Sequence, residues 1–270
     1  MIRFEQIAFN LTFGFYTLAM FLYLWHGVSR RINAGKYASF AAAAGLLANT
    51  VALGIRAVDA GRMPLANGYE FLLVFVWAIV LLYLIFEYRT KLKLVGLFVF
   101  PVAWALIGYV AVEMPEHEKT ITPLMPALKS NWLTVHVITA AGAYGAFALA
   151  CGMAVIYLWG RGLLQKHQLT DEFLDDLTYS TISFGFLLLT LAIVSGAIWA
   201  EQAWGNYWSW DPKETWSLVI WLIYGGYLHA RIIRDLRGRP AAIIVVAGFI
   251  ATLFTFFGVN YLLPGLHSYA

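Results

Sequence analysis

Four tryptophans, Trp204, Trp208, Trp210 and Trp216, fall within thirteen positions of this 270-residue chain, between two long apolar runs. Indole rings offer large, rigid faces that stack on other flat systems, so this density suits a large planar ligand. Among them stand Asp211, Pro212, Lys213 and Glu214. Lys213 can meet an acidic group of such a ligand as a point charge. A second chemistry is metal ligation. The chain has six histidines, His26, His117, His136, His167, His229 and His267, and neutral imidazole is the commonest protein ligand for a metal.

Each of these residues also has a plainer reading. Trp132, Trp199 and Trp204 sit at the ends of apolar runs and, on position alone, fit an interfacial aromatic belt. Asp211 as N-cap, Pro212 at the first helical position and Glu214 at the third fit a helix start and need do nothing more. An isolated histidine at a membrane edge is ordinarily a polar interfacial residue. A belt does not, however, explain the crowding of Trp208, Trp210 and the residues up to Glu214. Cys151, inside an apolar run, reads as a small buried hydrophobe. A single cysteine excludes an internal disulfide and a CxxC redox pair, and without CxxCH the chain is not itself a c-type cytochrome.

The elements that must position these groups follow from composition. Hydrophobic residues make up 61% of the chain and charged residues 12%, against about 25% charged in soluble domains. That balance predicts an all-α, polytopic integral membrane protein. Spanning takes about 20 apolar residues, and eight runs qualify, at about 7–27, 38–56, 71–87, 94–112, 134–159, 181–199, 216–230 and 241–262. The first run is too long and aromatic for a signal-peptide core, and no small-residue cleavage site follows it, so it reads as a retained span. No repeat, low-complexity tract or soluble domain interrupts the pattern. The expectation is one membrane domain, with an N-terminal four-helix part over 1–130 and a core over 131–270 that carries the loop 204–218. Residues 160–180, with Asp171, Glu172, Asp175 and Asp176, read as a solvated cytoplasmic helix turn. No basic stripe points to nucleic acid.

Eight spans put both termini on one side. The loops after spans 1, 3, 5 and 7 hold twelve of the eighteen Lys and Arg residues, which assigns them to the cytoplasm. The Trp-rich loop, both termini, His136 and His267 then share the outer face. A heme iron with two axial imidazoles needs one from each side of the ring, and two histidines on separate helix ends can supply them. His229 falls near the inner end of span 7. An ionisable residue at that depth is a functional candidate by default, and His26 is the histidine on the same side.

Several segments together resemble the cytochrome c assembly family, in its CcsA/ResC branch of system II. They are Trp132–His136, Trp204–Leu218 (the "WWD" motif), Tyr227–Arg231 and Val259–Ala270, with a looser match at Arg56, Pro64 and Asn67–Glu70. The firm part covers about half the chain. The resemblance implies heme b as a transient ligand or substrate, held at an outer site by His136 and His267. It implies a loop of Trp204, Trp208, Trp210, Asp211, Lys213 and Trp216 against the heme, and an inner site at His229 whose second ligand comes from a partner subunit of CcsB/ResB type. The implied activity is heme-lyase-type attachment of heme to the CxxCH of apocytochrome c, at the plasma (inner) membrane. Proteins of a thiol-reducing pathway are further possible partners. Two rival readings are a heme-delivery protein of CcmC type and a bis-histidine membrane electron carrier.

Overall fold

The computed structural model describes residues 2–29, 31–124 and 126–263. Among the described residues eight helices are long and apolar enough to cross a membrane. They are α1 (Ile2–Ser29), α2 (Ile32–Ala60), α3 (Gly68–Thr90), α4 (Gly96–Val112), α5 (Asn131–Trp159), α6 (Asp171–Trp204), α7 (Pro212–Arg234) and α8 (Gly238–Leu253). The last continues through a π-helical turn, Phe254–Gly258, into Val259–Leu262. The protein is thus an all-α integral membrane protein. In hydrocarbon every backbone polar group must be satisfied within the segment, which selects helices for runs of this composition.

The chain forms two compact units, residues 1–122 with 160–169 and residues 123–159 with 170–270. In the first, α1 lies along α2 and α4, and α3 packs on α2 and α4. Both ends of α3 are tied by buried charge. At its start Asn67 caps the helix by accepting from Glu70 N. Arg56 Nε meets Glu70 Oε1 at 2.9 Å, and a second guanidinium nitrogen meets Glu5 Oε1 at 3.0 Å. At its far end Glu87 accepts from Tyr23 Oη at 2.6 Å, Tyr83 Oη at 2.9 Å and Lys93 Nζ at 2.6 Å, and also from Ser39. Breaking such a buried set by removing one member strands the rest.

In the second unit α5 and α6 form the main helix pair, α8 lies on α5, and α7 packs on α6 and α8. Phe147 stacks on Tyr224 at 3.9 Å in its centre. One end of the unit departs from expectation. Residues 171–180 are the first turns of α6, capped by Thr170. Asp171, Glu172 and Asp176 are exposed, but Asp175 is buried. Its partner is the buried Arg231, which also reaches Asp176 at 2.8 Å and the Leu236 carbonyl at 3.1 Å. Charge-assisted hydrogen bonds of this kind satisfy both groups where water cannot reach them. The charge cluster is therefore partly a tie between α6 and α7, and only partly a solvated face.

Candidate functional site

At the opposite end of the second unit, the start of α5, the end of α6, the start of α7 and the π-turn after α8 converge. Three contacts join these elements in pairs, and the short 205–211 connection links α6 to α7. Trp199 Nε1 donates to Ala127 O at 2.8 Å, Ser130 Oγ donates to Gln202 at 2.8 Å, and Trp216 packs on Phe254 at 4.4 Å.

His136 stands in the second turn of α5. Its Nδ1 lies 2.7 Å from the Ala192 carbonyl on α6. A carbonyl can only accept, so Nδ1 carries the proton and the neutral ring's lone pair is on Nε2. Metal-binding histidines are oriented by this kind of bond, which sets tautomer and ring direction together. Space for the ring comes from Gly196, one turn beyond Ala192. A Cβ there would meet His136 Nδ1 at 2.6 Å and Cε1 at 2.9 Å. The ring lies nearly parallel to Trp199, with centroids 6.1 Å apart, and Trp199 meets Trp204 edge-on at 4.8 Å. Trp199 is buried, at 1% exposure, so it is no belt residue: it backs the histidine. Trp132 is 40% exposed.

After α6 the chain turns at Gly205, whose φ of 77° suits a residue without Cβ. The loop then runs to Asp211, the N-cap of α7, with the reciprocal capping box to Glu214 and Pro212 at the first position. The helix-start reading of the sequence holds in full, and it starts α7 four residues ahead of the expected span. Asp211 is buried and accepts from Lys213 N at 2.9 Å. Lys213 itself is half-buried in the first turn. Trp208 and Trp210 meet edge-on at 5.8 Å. Trp208 Nε1 is buried with no hydrogen-bond partner among the described residues, whereas Trp210 is exposed with φ of +59°. A non-glycine residue in that region costs roughly 1–2 kcal/mol. His267 lies outside the described residues.

His229 is at the other end of α7. That helix has two distinct faces. Ile220, Tyr224, Tyr227 and Arg231 are buried at a helical spacing, while Leu222, Gly226, His229 and Ile233 are exposed at the same spacing on the opposite side. His26, the other inner-side histidine, belongs to the first unit, where its ring lies 5.4 Å from that of His167.

Sequence reasoning missed Gly196 and Phe254, and it took Trp199 for a belt residue. The pairing of α5 with α6 and of α7 with α8 gives these residues their roles, and no local motif signals it.

Residues 65–267 match the family model described as cytochrome c assembly protein. Among relatives named cytochrome c biogenesis protein CcsA, that of Guillardia theta is 39% identical over 243 residues, covering 82% of this chain and 81% of that protein. The Chlorella vulgaris protein is 38% identical over 256 residues, with 82% and 81% coverage. The Gloeobacter violaceus protein is 32% identical over 327 residues and covers 100% of this chain and 97% of its own. Among solved structures the cytochrome c heme lyase CcmF superposes with a TM-score of 0.69 at 20% identity, over 94% of this chain and 46% of that one. That likeness concerns the fold, and this chain spans about half the length of that structure. The chain belongs to the cytochrome c assembly protein family, and its role lies in cytochrome c biogenesis.

Proposed function

We propose that this chain holds heme b as a substrate at the convergent end of its second unit and presents it at the outer membrane face to apocytochrome c. The observation that carries the reading is the seat of His136. Its tautomer leaves the lone pair on Nε2, Trp199 lies beside the ring, and Trp204 packs edge-on against Trp199. His267 is the proposed second axial ligand, and Trp208, Trp210, Asp211, Lys213 and Trp216 form the surround. The buried indole N–H of Trp208, without a partner among the described residues, fits a ligand that brings a hydrogen-bond acceptor, which a propionate supplies. Lys213 fits the same group's charge.

Covalent attachment draws its reactive atoms from the substrates. Each CxxCH thiol adds across a heme vinyl group, the sulfur bonding to one carbon and a proton reaching the other, with no net redox change. The chain's contribution is orientation and an apolar, stacked surround. Outer-face placement rests on the loop asymmetry of Lys and Arg.

A partner subunit of CcsB/ResB type completes the assembly in this reading. His229 supports it: an imidazole on an exposed apolar helix face at membrane depth is costly unless another element covers it. The inner site is His229 with a ligand from that partner. The test is maturation of a reporter cytochrome c in cells expressing both subunits. His136→Ala and His267→Ala are each expected to abolish holocytochrome formation at normal protein levels. Normal maturation in both variants overturns the reading.

A further inference from the structure

A capping box asks one thing of its third residue, a bond to the N-cap amide. Glu214 does more. Its Oε2 accepts from Asp211 N at 3.2 Å, as the box requires, and also from Ser209 N at 2.8 Å and Ser209 Oγ at 3.2 Å. Between Ser209 and Asp211 stands Trp210, so one carboxylate oxygen grips the backbone on both sides of that residue. Thr215 adds a third tie, from its hydroxyl to Trp210 O at 3.3 Å, while its amide donates to Asp211 O at 2.9 Å.

Trp210 needs holding. Its φ of +59° is disfavoured for a bulky side chain, and at 68% exposure the indole is not drawn into that conformation by burial. Backbone strain kept at an exposed aromatic residue points to a purpose for the conformation itself.

We propose that Glu214 is a positioning residue. It clamps the loop so that Trp210 is displayed, in advance of binding, as a ready-made face for the planar substrate. This rests on the heme-handling reading above, and it assigns Glu214 a task beyond starting α7. Glutamine keeps an acceptor oxygen at the same reach, whereas alanine removes it.

The test is hydrogen–deuterium exchange over the peptide 205–214 of the full chain in detergent, joined to heme retention after co-expression with the partner subunit. Wild type, Glu214→Gln and Glu214→Ala are compared. Expected are at least tenfold faster exchange at Ser209 and Asp211 and at least tenfold faster heme loss in Glu214→Ala. Glu214→Gln is expected to stay within about threefold of wild type in both measurements. A merely helix-starting glutamate would leave heme loss unchanged once α7 is shown intact by the exchange of residues 216–230. Wild-type exchange in Glu214→Ala overturns the clamp. Faster exchange with wild-type heme retention overturns its purpose. If wild type itself retains no heme, the heme-handling reading fails, and the exchange data still decide the clamp.

Discussion

Replacing Gly196 by alanine tests the seat of His136 without touching the imidazole. The new Cβ would lie 2.6 Å from Nδ1, 2.9 Å from Cε1 and 3.4 Å from Cγ. The ring must retreat by about 0.8 Å at Nδ1 to regain ordinary contact at 3.4 Å. Ala192 and Gly196 are one helical turn apart, so the retreat carries the ring away from the Ala192 carbonyl too. The bond now at 2.7 Å stretches to the limit of a useful hydrogen bond, a loss of about 1 kcal/mol. Losing an orienting partner costs a metal-bound histidine about 10–100-fold in affinity, or roughly 1.4–2.8 kcal/mol. Transfer of heme from the purified assembly to an excess of a heme-scavenging globin measures this. Gly196→Ala should release heme 10–100-fold faster than wild type. Gly14→Ala, whose Cβ meets nothing within 4 Å, should behave as wild type. Wild-type retention in Gly196→Ala, with an unchanged melting temperature, would refute the proposed link between the ring's seat and iron binding.

Three other expectations follow from the packing. Arg231→Leu leaves Asp175 as a buried unpaired charge and should cost about 3–5 kcal/mol, read as a lowered melting temperature in detergent; Arg231→Lys, unable to span both aspartates, should recover only part. Glu87→Ala removes the acceptor shared by Tyr23, Tyr83, Ser39 and Lys93, so a lowered melting temperature is expected for the first unit, and Glu87→Gln should lose less. His229→Ala removes an exposed side chain, so the stability of the chain alone should change by no more than about 0.5 kcal/mol. Heme bound through the partner subunit should fall in that variant, and unchanged partner-dependent heme would remove His229 from the site.

Local signals in this chain were legible in the sequence. Apolar runs located the eight membrane-length helices among the described residues, because a spanning helix needs length and little else. Asp211, Pro212 and Glu214 announced the start of α7, since a capping box is written within four residues. Contacts between distant residues were not legible. Asp175 and Arg231 are 56 positions apart, and the acidic cluster alone looks like a solvated face. Trp199 resembles a belt tryptophan until α5 is seen to lie against it. The left-handed backbone of Trp210 had no signal at all, because that conformation normally belongs to glycine or asparagine. Its cause lies in side-chain bonds from Glu214, a residue already explained by its capping role.

The most direct measurement of the central claim is an absorption spectrum of the full chain, purified in detergent after co-expression with a CcsB/ResB-like subunit, beside its His136→Ala variant. Wild type should show the reduced spectrum of a heme with two imidazole ligands, and the contribution of the outer site should be lost in the variant. A colourless wild-type assembly, or an identical spectrum in His136→Ala, would contradict the account.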